Sequence, residues 1–310
     1  MTTQATAASK ASASRAGGPP MAARAKRSLS SHTASVLAIV IAAIWLVPAL
    51  GLLISSFRPA RQIRNSGWWT FFTNPTLTLD NYNEVLFSTT SRLGQAFLNT
   101  FAITVPSVAF SIFIASLAAY ALSIMEWKGR DWVFILVFAL QVVPLQLALV
   151  PMLKIFSTWW PFSELAPNGV GKMVTIWIAH VTFGMPLVTF LLHNFMSDIP
   201  REVLESARVD GADHSRIYRS IVLPLIAPAL ASVAIFQFLF IWNDLLVGLV
   251  FGTPETFPIT AVLANLAGTR GEEWQRLTAG AFVSMVVPII VFLALQRYFV
   301  RGLLAGSVKG

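Results

Sequence analysis

Cysteine is absent from the 310 residues, which excludes disulfides, thiolate metal sites and cysteine nucleophiles. Charge is scarce: Asp, Glu, Lys and Arg make up 12% of the chain, about half the share of a soluble domain. No G-x-x-x-x-G-K-[ST] stretch is present to cradle nucleotide phosphates, so the chain alone is not expected to hydrolyse ATP. Neither G-x-S-x-G nor H-E-x-x-H occurs, which leaves a membrane hydrolase without support. His180 and His193 stand 13 residues apart with no acids clustered beside them, so no metal site is expected.

Apolar residues fill the space that charge leaves. They amount to 55% of the chain, with a mean hydropathy of +0.68. A bilayer core about 30 Å thick needs about 20 uncharged residues of helix. Six long stretches lack Asp, Glu, Lys and Arg: Ser28–Phe57, Leu93–Met125, Trp132–Leu153, Met173–Ser197, Ser220–Asn243 and Leu277–Gln296. Ile39–Ala43 and Val286–Leu295 do not alternate apolar with polar, as barrel strands do. The predicted fold is therefore an all-α integral membrane protein with six transmembrane helices.

The net charge of +8 raises the possibility of nucleic-acid binding, but its distribution favours membrane orientation. With both termini placed in the cytoplasm, the inner segments hold 14 Lys and Arg and the outer ones eight. Nucleic acid is accordingly not expected as a partner, and the lipid bilayer is. Residues 1–33, rich in Ala, Ser, Thr and basic residues, read as a disordered cytoplasmic tail ahead of a transmembrane domain over 34–310. The competing signal-peptide reading is disfavoured because Val36–Ile54 is long and runs on without a small-x-small cleavage site.

On the outer side, Arg58–Arg92 reads as a loop whose Trp68, Trp69, Phe71 and Phe72 suit the headgroup level. Prolines at 48, 106, 144, 151, 186, 228 and 288 fall in or beside the spans; they either kink a path or are simply tolerated. No internal repeat is evident. An ion-coupled carrier would carry coupled charges within its spans, and these spans lack them.

The one long inner connection, about 197–224, reads SDIPREVLESARVDGADHSRIYRSIVLP and holds nine charged residues. Connections between helices usually take about 2–8 residues, so this one has more to do than connect. Asp198 is a candidate N-cap, with Pro200 in the first turn. Val203, Leu204 and Ala207 give a short apolar stripe, and Gly211 is placed to end the helix in the left-handed conformation. Asp213 can cap a second helix with its own stripe, Ile217, Tyr218, Ile221 and Leu225, and Pro224 and Pro228 mark entry to the fifth span. Such a mixed-charge knob suits docking into a groove of a soluble partner.

These residues resemble the EAA loop of ABC importer permeases, which reads E-A-A, three residues, G, nine residues, I-x-L-P. Glu205, Ser206 and Ala207 stand for E-A-A, with Ser in place of the first Ala; Gly211, Ile221, Leu223 and Pro224 match in type and spacing. Ile241-Trp242-Asn243-Asp244 is similar to the W-N-D segment of carbohydrate-type permeases, and Gln296–Gly310 to the close of the second, shorter permease of the maltose transporter family. The resemblance covers about residues 34–310. It implies a multi-pass subunit of a bacterial or archaeal inner membrane, paired with a second, different permease. It further implies two ATPase subunits that bind ATP and Mg, an extracytoplasmic sugar-binding protein, and no cofactor on this chain.

On that basis the expected ATPase-coupling residues are Glu205, Ser206, Ala207, Asp210, Gly211, Ala212, Ile221, Leu223 and Pro224. Asp210 is equally suited to a local cap. Candidates for a sugar path are Gln141, Gln146, Gln237, Asn243 and Asp244. Each glutamine suits a hydroxyl or another helix, and Asp244 suits a sugar, an outer gate or a helix end at the interface. Ser66-Gly67-Trp68-Trp69 resembles permeases for α-glucosides such as maltose or trehalose. A non-sugar solute is the alternative cargo.

Overall fold

A computed structural model describes residues 32–88, 91–159, 169–267 and 273–305. The expected tail over 1–33 lies outside these residues except for its last two, which begin α1 (His32–Ser56). The described residues divide into two units between Gly51 and Leu52. In the first, the side chains from Val36 to Leu50 are almost all exposed, Trp45 at 80%, as a lipid-facing surface requires.

Among its described residues the second unit contains helices and no strand. It contains α2 (Ala60–Asn65), a 3₁₀ turn (Trp68–Phe72), α3 (Asp80–Phe87), α4 (Leu93–Ser123), α5 (Arg130–Leu140), α6 (Leu145–Thr158) and α7 (Gly169–Ser197). Next come α8 (Arg201–Val209), α9 (His214–Ile217), a π turn (Tyr218–Val222), α10 (Leu223–Leu225) and α11 (Ala227–Trp242). α12 (Leu246–Phe251), α13 (Ile259–Ala267) and α14 (Trp274–Ala305) complete it.

Among the described residues, four helical stretches are long and apolar enough to cross a membrane: Ala34–Ser56, Leu93–Ser123, Gly171–Ser197 and Trp274–Gln296. The number rises to six only if two bent pairs each count as one span. The expected spans Trp132–Leu153 and Ser220–Asn243 fall on these two bent pairs. α5 and α6 meet at 102°, and the α9–α10 segment meets α11 at 75°. The first break sits before Pro144, where Gln141, Val142 and Val143 bond back only three residues and proline has no N–H to continue the ladder. The second sits at Ile226 (φ −92°, ψ 6°), two residues before Pro228. α11 has only 16 residues, about 24 Å of helix.

α4 is the axis of the second unit. It contributes Leu93 and Ala96 to a core shared with Val85, Ile259 and Ala279, and Ile103 to a core with Ile176, Ile241 and Phe251. It also contributes Ala115, Ala119 and Tyr120 to a core with Leu192, Met196, Leu204 and Ile217. α4 against α7 is the most extensively packed helix pair. Trp242, fully buried at the end of α11, meets Phe101 and Phe97 of α4 edge-on at 4.9 and 6.1 Å and donates to Ser284 O at 3.1 Å.

The expected loop Arg58–Arg92 is folded instead. Arg58 is 2% exposed and lies beneath α2 and the 3₁₀ turn, donating to Ser66 Oγ at 2.6 Å, Thr70 Oγ1 at 3.0 Å and the Ser66 and Gln62 carbonyls. Burial without a carboxylate lowers its pKa below the usual guanidinium value. Asn81 donates to the carbonyls of Ser56 and Arg58 at 2.9 and 2.8 Å, tying α3 to the same corner. Trp69 and Phe72 remain 64% and 72% exposed. Arg276 of α14 bridges Glu84 of α3 and Glu273, the latter at 2.7 Å.

Candidate partner-docking site

α8 begins after Pro200, whose φ of −57° and ψ of 132° place it at the N-cap position, where Asp198 was expected. Leu204 and Ala207 turn inward onto the ends of α4 and α7. Burying a leucine side chain stabilises such a contact by about 2 kcal/mol. Val203 of the expected stripe is 38% exposed, and Val209 at the tip is 87% exposed. Glu205 and Ser206 face outward; Ser206 Oγ donates to Val203 O at 3.1 Å. Small size matters at Ala207, which is buried, and less at the exposed Ser206.

The helix closes as glycine chemistry demands. Gly211 has φ +78°, its N–H donates to Arg208 O at 3.0 Å, and Ala212 N–H donates to Ala207 O at 2.9 Å. This pair of bonds is a Schellman closure. Asp210 is the C-cap residue. Asp213 then caps α9, its Oδ1 accepting from Arg216 N at 2.8 Å.

Beyond α9 the expected stripe slips. The π turn adds a residue to the turn, so the buried positions are Ile217, Val222 and Ile226, while Ile221 is half-buried and Leu225 is 55% exposed. Leu223 is half-buried and Pro224 exposed. Two tyrosines hold this half of the loop. Tyr120 Oη lies 2.9 Å from His214 Nδ1, and Tyr218 Oη lies 2.7 Å from Ser116 Oγ. Sequence reasoning missed Tyr120, Ser116 and His214 as part of the site. The available signal was the scarcity of tyrosine, four in the chain, with two of them here.

A cleft of about 270 Å³ opens between α8 and the turn from α4 to α5, lined among others by Glu126, Arg130, His193, Arg201 and Glu205. Among the described residues, Arg201, Glu202, Glu205, Arg208, Asp210, Arg216 and Arg219 make no ion pair. The loop thus meets its own spans through apolar side chains and uncharged hydrogen-bonding groups and carries its charges elsewhere, an arrangement fit to receive a polar surface of another molecule.

The residues suggested for a sugar path fall in three places. Gln141 and Gln146 are exposed at the break between α5 and α6. Gln237 is 1% exposed against Gly184 of α7, where an added Cβ would collide with its amide. Asn243 and Asp244 end α11. The Asn243 amide donates to Leu239 O at 2.8 Å, and Asp244 Oδ2 accepts from Val247 N at 2.9 Å, capping α12.

Residues 107–304 match the family described as the inner membrane component of binding-protein-dependent transport systems. The chain belongs to this family. It is 48% identical over 277 residues to the osmoprotective compounds uptake permease protein GgtD of Synechocystis, covering 87% of this chain and 90% of that protein. It is 50% identical over 245 residues to the alpha-glucoside transport system permease protein AglG of Rhizobium meliloti, covering 78% of this chain and 63% of the relative. Among solved structures, a chain of a bacterial ABC transporter that imports the acidic polysaccharide alginate superposes with a TM-score of 0.66. At 22% identity it covers 87% of this chain and 98% of that one, and it establishes the permease fold. The chain is thus a multi-pass inner-membrane component, and residues 198–224 lie within the family match.

Proposed function

We propose that this permease is one membrane subunit of an importer that moves a carbohydrate inward, driven by ATP hydrolysis on a separate subunit. The observation that carries the reading is α8: an exposed charged helix, closed at Gly211 and rooted by Leu204 and Ala207 on α4 and α7. In this reading both termini and the loop face the cytoplasm, and the two bent pairs complete six spans. Two ATPase subunits hold ATP and Mg, one of them receiving α8 in a groove. A second, different permease forms the other half of the path, and an extracytoplasmic binding protein delivers the sugar.

The energetics require only that ATP favour one conformer and that the docked loop transmit the preference. A ligand shifts an equilibrium by its differential affinity for the two states. An α-glucoside as cargo is supported by the likeness to AglG and by the Ser66–Trp69 segment. A non-sugar solute is the second reading, admitted by the likeness to GgtD, an uptake permease for osmoprotective compounds, a class that includes both sugars and non-sugars.

Uptake of labelled maltose, trehalose and glycine betaine by vesicles containing the complete transporter tests both. Uptake of a glucoside that needs ATP and survives a proton uncoupler is the expected result. Uptake abolished by the uncoupler at constant ATP would point to a secondary carrier, and uptake of betaine alone to the second reading.

A further inference from the structure

The two halves of the docking loop are attached to the spans in different ways. α8 rests on them by apolar packing through Leu204 and Ala207. The second half is held by directional bonds. Ser116 and Tyr120 stand one helical turn apart on α4, 3% and 5% exposed, and face Tyr218 and His214 as two rungs. Tyr120 also donates to His214 O at 3.3 Å, and the Tyr120 and Tyr218 rings meet edge-on at 5.2 Å.

The direct chain route from this clasp into α11 is soft by comparison. It is π-wound over Tyr218–Val222, interrupted at Ile226 and bent by 75°. Breaks and π turns are where helices bend, while an unbroken α-helix keeps its length. The route through α4 is continuous for 31 residues. At the far end of α4, about 30 Å from the clasp, two side chains grip another segment. Asn99 Nδ2 donates to Glu255 O at 2.8 Å and Phe257 O at 3.2 Å, and Thr100 Oγ1 accepts from Ile259 N at 2.8 Å.

We infer that Tyr120 and Tyr218 are positioning residues that pass movement of the docked loop into α4, and that α4 delivers it through Asn99 and Thr100 to the segment 253–259. The inference rests on the docking reading above. It adds a route: along α4 rather than along the chain from the loop into α11.

The test is hydrogen–deuterium exchange on the whole transporter, purified through a tag on this chain, without nucleotide and after trapping with ADP and vanadate. In the wild type, peptides over 201–209 and over 253–267 are both expected to change exchange on trapping. In the Tyr120→Phe, Tyr218→Phe double variant, which keeps the rings and loses both hydroxyls, the response at 201–209 is expected to persist. The response at 253–267 is expected to fall by about fivefold or more, since one of the two neutral hydrogen-bonded rungs removed is already worth about that factor. An unchanged response at 253–267 would overturn the relay. So would loss of both responses in an assembled variant, because the tyrosines would then serve docking itself. No response at 201–209 in the wild type would instead remove the docking reading beneath it. Should the double variant fail to assemble, Ser116→Ala removes one rung alone and is expected to give a partial loss at 253–267; no loss there overturns the relay.

Discussion

The segment 58–92 and the loop 198–219 both carry several charges, yet they use them in opposite ways. In the first, Arg58 is buried among hydroxyls and carbonyls, Glu84 is bridged to Arg276, and Arg92 lies 3.6 Å from Glu255. In the second, the charges of α8 and of the π turn are exposed and form no ion pair among the described residues. In the first set Arg58 and Glu84 hold the local fold together; the second set is open to a partner. A count of Lys and Arg by segment treats the two alike, which is why it carries an expectation about orientation and none about role.

Gly211→Pro should break this contrast most severely. Proline cannot take φ +78° and removes the N–H that Arg208 O accepts, so the knob loses its closure. Uptake is expected to disappear while the membrane subunits still co-purify. Arg58→Ala comes next, and acts on fold rather than on docking. Leaving the pocket of Ser66 and Thr70 without its cation should cost about 3 kcal/mol, read as a lower melting temperature and faster proteolysis within 58–91. The smallest effect belongs to Arg92→Gln: both partners of that ion pair are more than half exposed, so no measurable change in melting temperature is expected.

Much of this was legible in the sequence. Charge-free stretches identify membrane helices because hydrocarbon forbids unpaired backbone, and Gly211 and Asp213 announce the two ends of the turn through their own local chemistry. What depended on packing was not legible. Pro144 and Pro228 were visible as kink candidates, but whether a proline merely bends a helix or breaks it is decided by neighbours. Pro106 and Pro186 sit within continuous helices, whereas the chain breaks just before Pro144. The π turn shifted burial from Ile221 and Leu225 to Val222 and Ile226, and no spacing rule foretells an added residue in a turn. Gln237 carried the same polar signal as Gln141, yet it is packed against Gly184 while Gln141 is exposed. Partners such as Tyr120 and His214, 94 residues apart, are joined only by the fold.

The central claim is that α8 is gripped by a nucleotide-hydrolysing subunit. Its most direct test is the affinity of that subunit for this permease and its sister chain in nanodiscs, wild type against Glu205→Lys. Glu205 is exposed, so the substitution should leave stability unaltered and weaken capture about tenfold or more. Equal capture by both proteins, or no capture by the wild type, would contradict the account.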